Sequence, residues 1–139
     1  MSALLKGSKV LVTGAGGFIG SELVQQLHIL GAKVRVFLRY TSRNELGLLK
    51  FLPQDTQNAL DFIFGDLRDP DAVEKAAESM DVIFHLGALI SIPYSYVHPV
   101  ETVQSNVIGT LNVLQACRKC DCRLVHTSTS EVYGTALQV

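Results

Sequence analysis

Short apolar runs recur along this sequence, and longer amphipathic stretches separate them. Five runs have the length and composition of strands, at residues 9–13, 33–38, 61–64, 81–86 and 123–128. The first, KVLVT, is β-branched, fills consecutive positions with apolar side chains and runs into glycines. A strand of this kind is typically parallel to its neighbours and buried on both faces of its sheet.

Three stretches between these runs predict helices. Residues 18–30 repeat apolar side chains at the spacing of one helix face, and Gly31 follows as a C-terminal cap. A second helix starts after Asp69-Pro70-Asp71, where a capping side chain precedes a proline, and runs to about Ser79. The third covers residues 99–119 and carries apolar residues along one side, namely Val103, Val107, Leu111 and Leu114. The polar stretch 40–53 predicts a connection with room for a short helix.

Strands that alternate with helices predict an α/β fold with a doubly wound parallel sheet, the Rossmann fold. Right-handed crossovers give the strand order 3-2-1-4-5. The length of 139 residues fits one domain, so we assign residues 1–139 to a single unit.

Composition narrows the classes of partner. With 47% apolar and 18% charged residues, the chain is expected to be globular. A net charge of −1 without a basic stripe argues against nucleic acid as a partner. Because no apolar run is long enough for a membrane span and no secretion signal precedes the first strand, we expect no membrane association and a cytoplasmic location.

Neither cysteine nor histidine predicts a metal site. Cys117, Cys120 and Cys122 lie close together, but their odd number and the lack of a second ligand cluster favour a structural role. His85 and His126 lie in apolar strand runs, where packing or a backbone hydrogen bond accounts for them.

The segment TGAGGFIG, residues 13–20, joins the first strand to the first helix. In this context Gly14 permits the tight turn, Gly17 lets phosphates approach the backbone, and Gly20 lets helix and strand pack closely. The helix start, which includes Phe18 and Ile19, offers N–H groups and a partial positive charge to a pyrophosphate. The sequence therefore predicts a dinucleotide-binding domain.

Four further segments follow in order: GDLRD at 65–69, HLGA at 85–88, SNVIGT at 105–110 and TSTSEVYG at 127–134. Together with TGAGGFIG, they resemble the extended short-chain dehydrogenase/reductase family, which includes nucleotide-sugar epimerases and dehydratases. The resemblance implies that Asp66 is a partner for adenine. It places six more residues along the cofactor: Leu67, Leu86, Gly87, Ala88, Ser105 and Thr127.

The last of these segments is similar to that of nucleotide-sugar 4,6-dehydratases, in which the cofactor oxidises C4, a carboxylate removes the C5 proton and water leaves from C6. The resemblance implies that Glu131 is the C5 base, which suits a proton acidified by the C4 ketone. It also implies that Thr129 hydrogen-bonds the C4 oxygen. Ser130 stands where some dehydratases have the acid for the leaving hydroxyl, and capping of a turn is the alternative for Thr129 and Ser130. The resemblance implies a UDP-, GDP- or dTDP-linked hexose as the substrate. Residues 88–96 are similar to the corresponding segment of dehydratases of N-acetylated amino-sugar nucleotides, so a hexose and an N-acetylhexosamine both stay open.

The end of the second strand bears on the choice of cofactor. NAD enzymes usually have an acid there for the ribose 2′-hydroxyl. This sequence has Arg39, followed by Ser42 and Arg43, which suit a 2′-phosphate. NADP is therefore favoured over NAD, and a solvated basic loop is the alternative.

The catalytic Tyr-x-x-x-Lys pair of the family is expected beyond the TSTSEVYG segment. Tyr133 does not supply it, because Leu137 stands where the lysine would be. We therefore expect the cofactor half of a longer enzyme, truncated before the last strands and the substrate lobe and inactive alone. A nucleotide-sugar 4-epimerase and a catalytically silent dinucleotide-binding module are the alternatives. An uncovered fifth strand and helix face would favour a homo-oligomer.

Overall fold

The computed structural model describes residues 5–134, except for the side chains of Ser130 and Glu131. Within that range, parallel strands form one sheet in the order β3-β2-β1-β4-β5. The strands are β1 (Lys9–Thr13), β2 (Lys33–Arg39), β3 (Asp61–Gly65), β4 (Val82–His85) and β5 (Arg123–His126). The predicted fold class and strand order are confirmed.

The helices of this range are α1 (Phe18–Ile29), α2 (Gln54–Ala59), α3 (Pro70–Ala77), α4 (Ile92–Val97), α5 (Pro99–Val103) and α6 (Gly109–Cys120). A π-helical turn, Gln104–Ile108, joins α5 to α6, and 3-10 turns cover Gly47–Phe51 and Ser130–Tyr133. The sequence did not predict α2 or α4, because six residues are too few for a helical period to be recognised.

Local chemistry sets the helix ends much as the sequence indicates. Gly31 follows α1 with a φ of +80°, a left-handed conformation that glycine adopts readily. At the start of α3, the carboxylate of Asp69 accepts hydrogen bonds from the backbone N–H groups of Asp71 and Ala72. The helix ends at Ala77, earlier than predicted, and Ser79 has a φ of +62° in the turn that follows.

The apolar core has two layers, one on each face of the sheet. On one face, Val10 and Val12 of β1 pack with Val24 and Leu27 of α1. On the other face, the residues that pack together are Leu11 of β1, Ile83 of β4, Val73 and Ala76 of α3, and Val113 and Ala116 of α6. Helices packed on both faces hold the sheet in place, so the carboxyl ends of its strands lie together along one edge.

Helix α6 turns small residues toward the rest of the fold. Its buried residues are Gly109, Asn112, Val113, Ala116 and Cys117. The apolar side that the sequence identified, formed by Val103, Val107, Leu111 and Leu114, is exposed instead. The short buried side chains let the helix approach β4 and α3 closely. We call the four exposed residues the apolar stripe.

Within residues 5–134, no helix is both long enough and apolar enough to cross a membrane.

Candidate cofactor-binding site

A cleft of about 330 Å³ opens at the carboxyl ends of β1, β2, β3 and β4. In an open α/β sheet, ligands bind at this edge, where the strand order reverses. The cleft is lined by Gly14, Gly16, Gly17, Phe37, Leu38, Arg39, Thr41, Glu45, Gly47, Gly65, Asp66, Leu67, Gly87, Ala88, Leu89 and Ser105.

Many of the cofactor residues predicted from the sequence meet at this cleft. They are Gly14, Gly17, Arg39, Asp66, Leu67, Gly87, Ala88 and Ser105. The other predicted residues lie outside its lining, and these are Phe18, Ile19, Gly20, Arg43, Leu86 and Thr127.

The glycine turn has two positions that cannot carry a side chain. Gly14 has a φ of +71°, and a Cβ there would lie 2.7 Å from the backbone nitrogen of Gly87. A Cβ on Gly20 would lie 2.1 Å from the carbonyl oxygen of Gly14. These two glycines therefore let β1, β4 and α1 converge, which is a packing requirement of the fold.

Gly17 is different. A Cβ there would meet only the carbonyl oxygen of Gly14, at 3.3 Å. The packing of the protein therefore requires glycine less strongly here than at Gly14 and Gly20, and Gly17 lines the cleft. A bound group that approaches the backbone closely would explain it.

The start of α1 supplies hydrogen-bond donors at the edge of the cleft. Gly17 is the N-cap residue, and no side chain of residues 5–134 caps this helix. The first N–H groups of a helix have no intrahelical partner, and the helix dipole makes this end partly positive. The side chains of Phe18 and Ile19 point elsewhere and line a neighbouring groove with Leu48 and Phe51. These two residues could therefore serve a ligand through their backbone only.

Polar side chains fix the β4 wall of the cleft. Thr13 Oγ1 lies 2.6 Å from His85 Nδ1 and accepts a hydrogen bond from the Gly87 backbone N–H. His85 Nε2 lies 3.1 Å from Thr110 Oγ1. Burial and the charge of nearby His126 lower the pKa of His85 to about 4, so the imidazole is neutral at pH 7. The sequence predicted packing or a backbone bond for His85, whereas its ring bonds two threonine side chains.

Two asparagines position the loops that follow β4 and β3. The side-chain amide of Asn106 both accepts from the N–H of Leu89 and donates to its carbonyl oxygen. Asn112 donates to the carbonyl oxygen of Leu67. The α5–α6 segment therefore fixes two walls of the cleft through side-chain to backbone bonds, which sequence reasoning did not assign.

Charged groups cluster where β2 and β3 end. The Asp66 carboxylate accepts hydrogen bonds from the Arg68 guanidinium and backbone N–H, and the guanidinium holds the pKa of Asp66 below its usual value. Arg39 Nη2 lies 3.0 Å from the carboxylate of Glu101 on α5. Sequence reasoning missed Glu101, because a position 62 residues away carries no local sign of this contact.

The loop after β2 closes the cleft beside the glycine turn. The backbone N–H of Leu48 donates to the carbonyl oxygen of Gly16, and Thr41 and Glu45 line the cleft. Arg43 is exposed on the same loop but outside the cleft lining. Of the two arginines predicted to bind a 2′-phosphate, Arg39 therefore lines the cleft and Arg43 does not.

The residues predicted to carry catalysis follow β5. Thr127 donates its backbone N–H to the carbonyl oxygen of His85, which continues the ladder beyond β5. Thr129 is exposed, and Ser130 and Glu131 open the 3-10 turn Ser130–Tyr133. The side chains of Ser130 and Glu131 lie outside the described part of the chain, so the three catalytic roles stay predictions.

Cys117 is buried near the end of α6, and burial raises the pKa of its thiol to about 12. Such a thiol is a packing group, since metal binding and nucleophilic attack need the thiolate. In the part of the chain that the structure describes, no three His, Cys, Asp or Glu side chains are grouped to hold a metal ion.

Comparison with known proteins agrees with this geometry. The family model of GDP-mannose 4,6 dehydratase matches residues 11–139, which is nearly the whole chain. The chain belongs to the NAD-dependent epimerase/dehydratase family. UDP-glucuronic acid decarboxylase 2 of Arabidopsis thaliana is 37% identical over 134 residues, which cover 96% of this chain and 28% of the relative.

Solved structures of family members share the fold. The UDP-N-acetylglucosamine 4-epimerase of Methanobrevibacter ruminantium, in complex with UDP-N-acetylmuramic acid, has a TM-score of 0.81 at 34% identity. The match covers 95% of this chain and 41% of the epimerase. MoeE5 in complex with UDP-glucose and NAD has a TM-score of 0.77 at 34% identity, over 95% of this chain and 40% of MoeE5. The chain thus spans less than half the length of these relatives.

Proposed function

We propose that this chain binds NAD or NADP in the cleft and forms the cofactor half of a nucleotide-sugar enzyme. The observation that carries the proposal is Gly17. It lies at the cleft beside the uncapped start of α1, and the packing of the fold requires glycine there less strongly than at Gly14 or Gly20. A pyrophosphate on the N–H groups of this helix end would account for both features.

The residues present fit such a cofactor at both ends. The helix start and the glycine turn would hold the pyrophosphate, and Asp66 and Leu67 at the end of β3 would hold the adenine. Gly87, Ala88 and Ser105 would line the path toward the nicotinamide. A dinucleotide held by these residues would supply the hydride-acceptor and hydride-donor chemistry that such an enzyme needs. The neighbour MoeE5, which is a complex with NAD, supports this reading.

For the reaction, we propose dehydration of a UDP-, GDP- or dTDP-linked hexose. In this scheme Glu131 removes the C5 proton, Thr129 hydrogen-bonds the C4 oxygen, and Ser130 occupies the place of the acid. The match to the GDP-mannose 4,6 dehydratase model supports dehydration. A 4-epimerase is the second candidate, supported by the epimerase structure that shares the fold.

We also propose that the chain forms a homo-oligomer through the apolar stripe. The stripe is self-complementary, because two antiparallel copies would bring the same apolar residues face to face. Val107 is 59% exposed and Leu111 is 45% exposed, so burying them would be favourable.

The proposal is tested by calorimetric titration of the chain with NADH and NADPH. We expect binding, and we expect Gly17→Val to abolish it without loss of fold, because the branched side chain would fill the space of the pyrophosphate. Gln26→Val on the exposed face of α1 is the control and should bind as the unaltered chain does. Unchanged affinity in Gly17→Val would refute the assigned site.

Incubation of the complete enzyme, of which this chain is proposed to be the cofactor half, with each dinucleotide and each class of hexose nucleotide separates the candidate reactions. A 4-keto-6-deoxy product supports a dehydratase, and inversion at C4 supports an epimerase. If the complete protein binds the dinucleotide but forms no product, a silent binding module is favoured.

A further inference from the structure

Glu101 contacts side chains from parts of the chain that are distant in sequence. It lies on α5, and its Oε1 is 3.0 Å from Nη2 of Arg39, at the end of β2. The second oxygen, Oε2, accepts a hydrogen bond from the hydroxyl of Tyr94 on α4. Oε1 also lies 3.8 Å from Nη1 of Arg68. The carboxylate therefore faces two guanidinium groups and one phenol.

The ionisation of these groups is settled at neutral pH. The hydrogen bond from Tyr94, followed by that from Arg39, lowers the pKa of Glu101 below its usual value. The same bond raises the pKa of Tyr94, so the phenol keeps its proton. Glu101 is therefore a carboxylate that Tyr94 orients toward Arg39.

At this end of the cleft, arginine side chains that could attract an anion are already paired with carboxylates. Arg68 is engaged by the carboxylate of Asp66, at 2.6 Å, and Arg39 is engaged by Glu101. Glu45 also lines the cleft. Each of the two guanidinium groups is therefore paired with a carboxylate, and the arginine that would recognise a 2′-phosphate already has an acidic partner.

We propose that Glu101 determines how strongly the cleft discriminates between NADP and NAD. The inference rests on the proposed function, since it concerns the same cofactor. A 2′-phosphate would compete with Glu101 for Arg39, whereas the 2′-hydroxyl of NAD leaves the ion pair intact. The Arg39 side chain is 61% exposed, and a pair so open to water is weak enough to exchange partners. Glu101 thus makes the site tolerant of NAD, despite an arginine where NADP enzymes have one.

The test is a titration of Glu101→Gln with NADPH and NADH by calorimetry. Removing the competing charge should strengthen NADPH binding about tenfold, the size of one charge-assisted hydrogen bond. NADH affinity should stay the same, and it also reports that the fold is intact. Glu74→Gln is the matched control, because it removes the same charge from a pair with Lys119 on the outer surface. It should change neither affinity.

A second variant shows whether the effect passes through Arg39. In an Arg39→Gln background, NADPH should bind more weakly, and adding Glu101→Gln should then change its affinity no more than Glu74→Gln does. An equal gain with and without Arg39 would overturn the inference, as would equal changes for NADH and NADPH. If the unaltered chain binds both dinucleotides and Glu101→Gln leaves their ratio unchanged, only this inference fails. If it binds neither, the proposed function fails as well.

Discussion

The hydroxyl of Thr13 and Nδ1 of His85 lie 2.6 Å apart, each at the last residue of its strand. The same hydroxyl accepts the N–H of Gly87, and the far ring nitrogen of His85 reaches Thr110 on α6. A buried chain of polar groups thus joins β1, β4 and α6 directly under the cleft. It holds the glycine turn of β1 against the loop after β4.

Replacing Thr13 by valine should destabilise the fold although the two side chains have the same shape. The change leaves the Gly87 N–H and one nitrogen of the buried His85 without their partner, at a cost of about 1–3 kcal/mol for each unsatisfied group. Urea denaturation measures the loss. Thr13→Ser keeps the hydroxyl and should retain most of the stability. Equal stability of the valine and serine variants would contradict the role of this bond.

Stability should fall as the pH drops from about 6.5 to about 4. Burial, and then the charge of His126, lower the pKa of His85 from 6.5 to about 4 in the folded protein. The unfolded chain therefore binds more protons across this window, and protonation favours unfolding. Above pH 6.5, His85 is neutral in both states and the free energy of unfolding is at its full value. By pH 4, the free energy of unfolding is lower by about 3 kcal/mol.

Urea denaturation across this pH range tests the assignment. His85→Gln should show a much flatter dependence than the unaltered chain. His28→Gln, a change on α1 away from the β4 wall, should keep the full slope. A slope that survives in His85→Gln would show that other groups cause it.

Gly20→Ala should destabilise the protein more than Gly17→Ala. A Cβ on Gly20 would lie 2.1 Å from the carbonyl oxygen of Gly14, so backbone must shift, at a cost of about 1–3 kcal/mol. A Cβ on Gly17 would lie 3.3 Å from the same oxygen, a distance that a small movement relieves. Thermal melting of both variants gives the comparison. Equal melting temperatures would show that the turn relaxes more easily than its geometry indicates.

Leu111→Lys should weaken self-association of the chain. It places a charge in the centre of the apolar stripe and removes an apolar side chain worth about 1.5–3 kcal/mol when buried, or tenfold or more in the dissociation constant. Light scattering over a concentration series measures the effect. Ile29→Lys, at an exposed apolar residue of α1, is the control and should leave association unchanged. A monomer at high concentration in the unaltered chain would refute the proposed interface.

The sequence alone determined the elements that depend on neighbouring residues. The apolar run of β1, the capping carboxylate of Asp69 and the glycine after α1 are local signals, and each predicted the structure at its place. The alternation of strands and helices, with right-handed crossovers, then left the observed strand order as the expected one. The glycine turn likewise located the cleft, since a turn at the end of β1 lies at the reversal of strand order.

Only the tertiary structure decided which side of α6 faces the sheet and which charges meet at the cleft. Periodicity identifies an apolar side, but α6 packs on α3 and β4 through Val113, Ala116 and Cys117, and Leu111 and Leu114 stay exposed. The pairing of Arg39 with Glu101 joins positions far apart in the chain. Such contacts depend on the twist of the whole sheet and on the positions of the helices that pack on it. A short stretch of sequence carries no information about either.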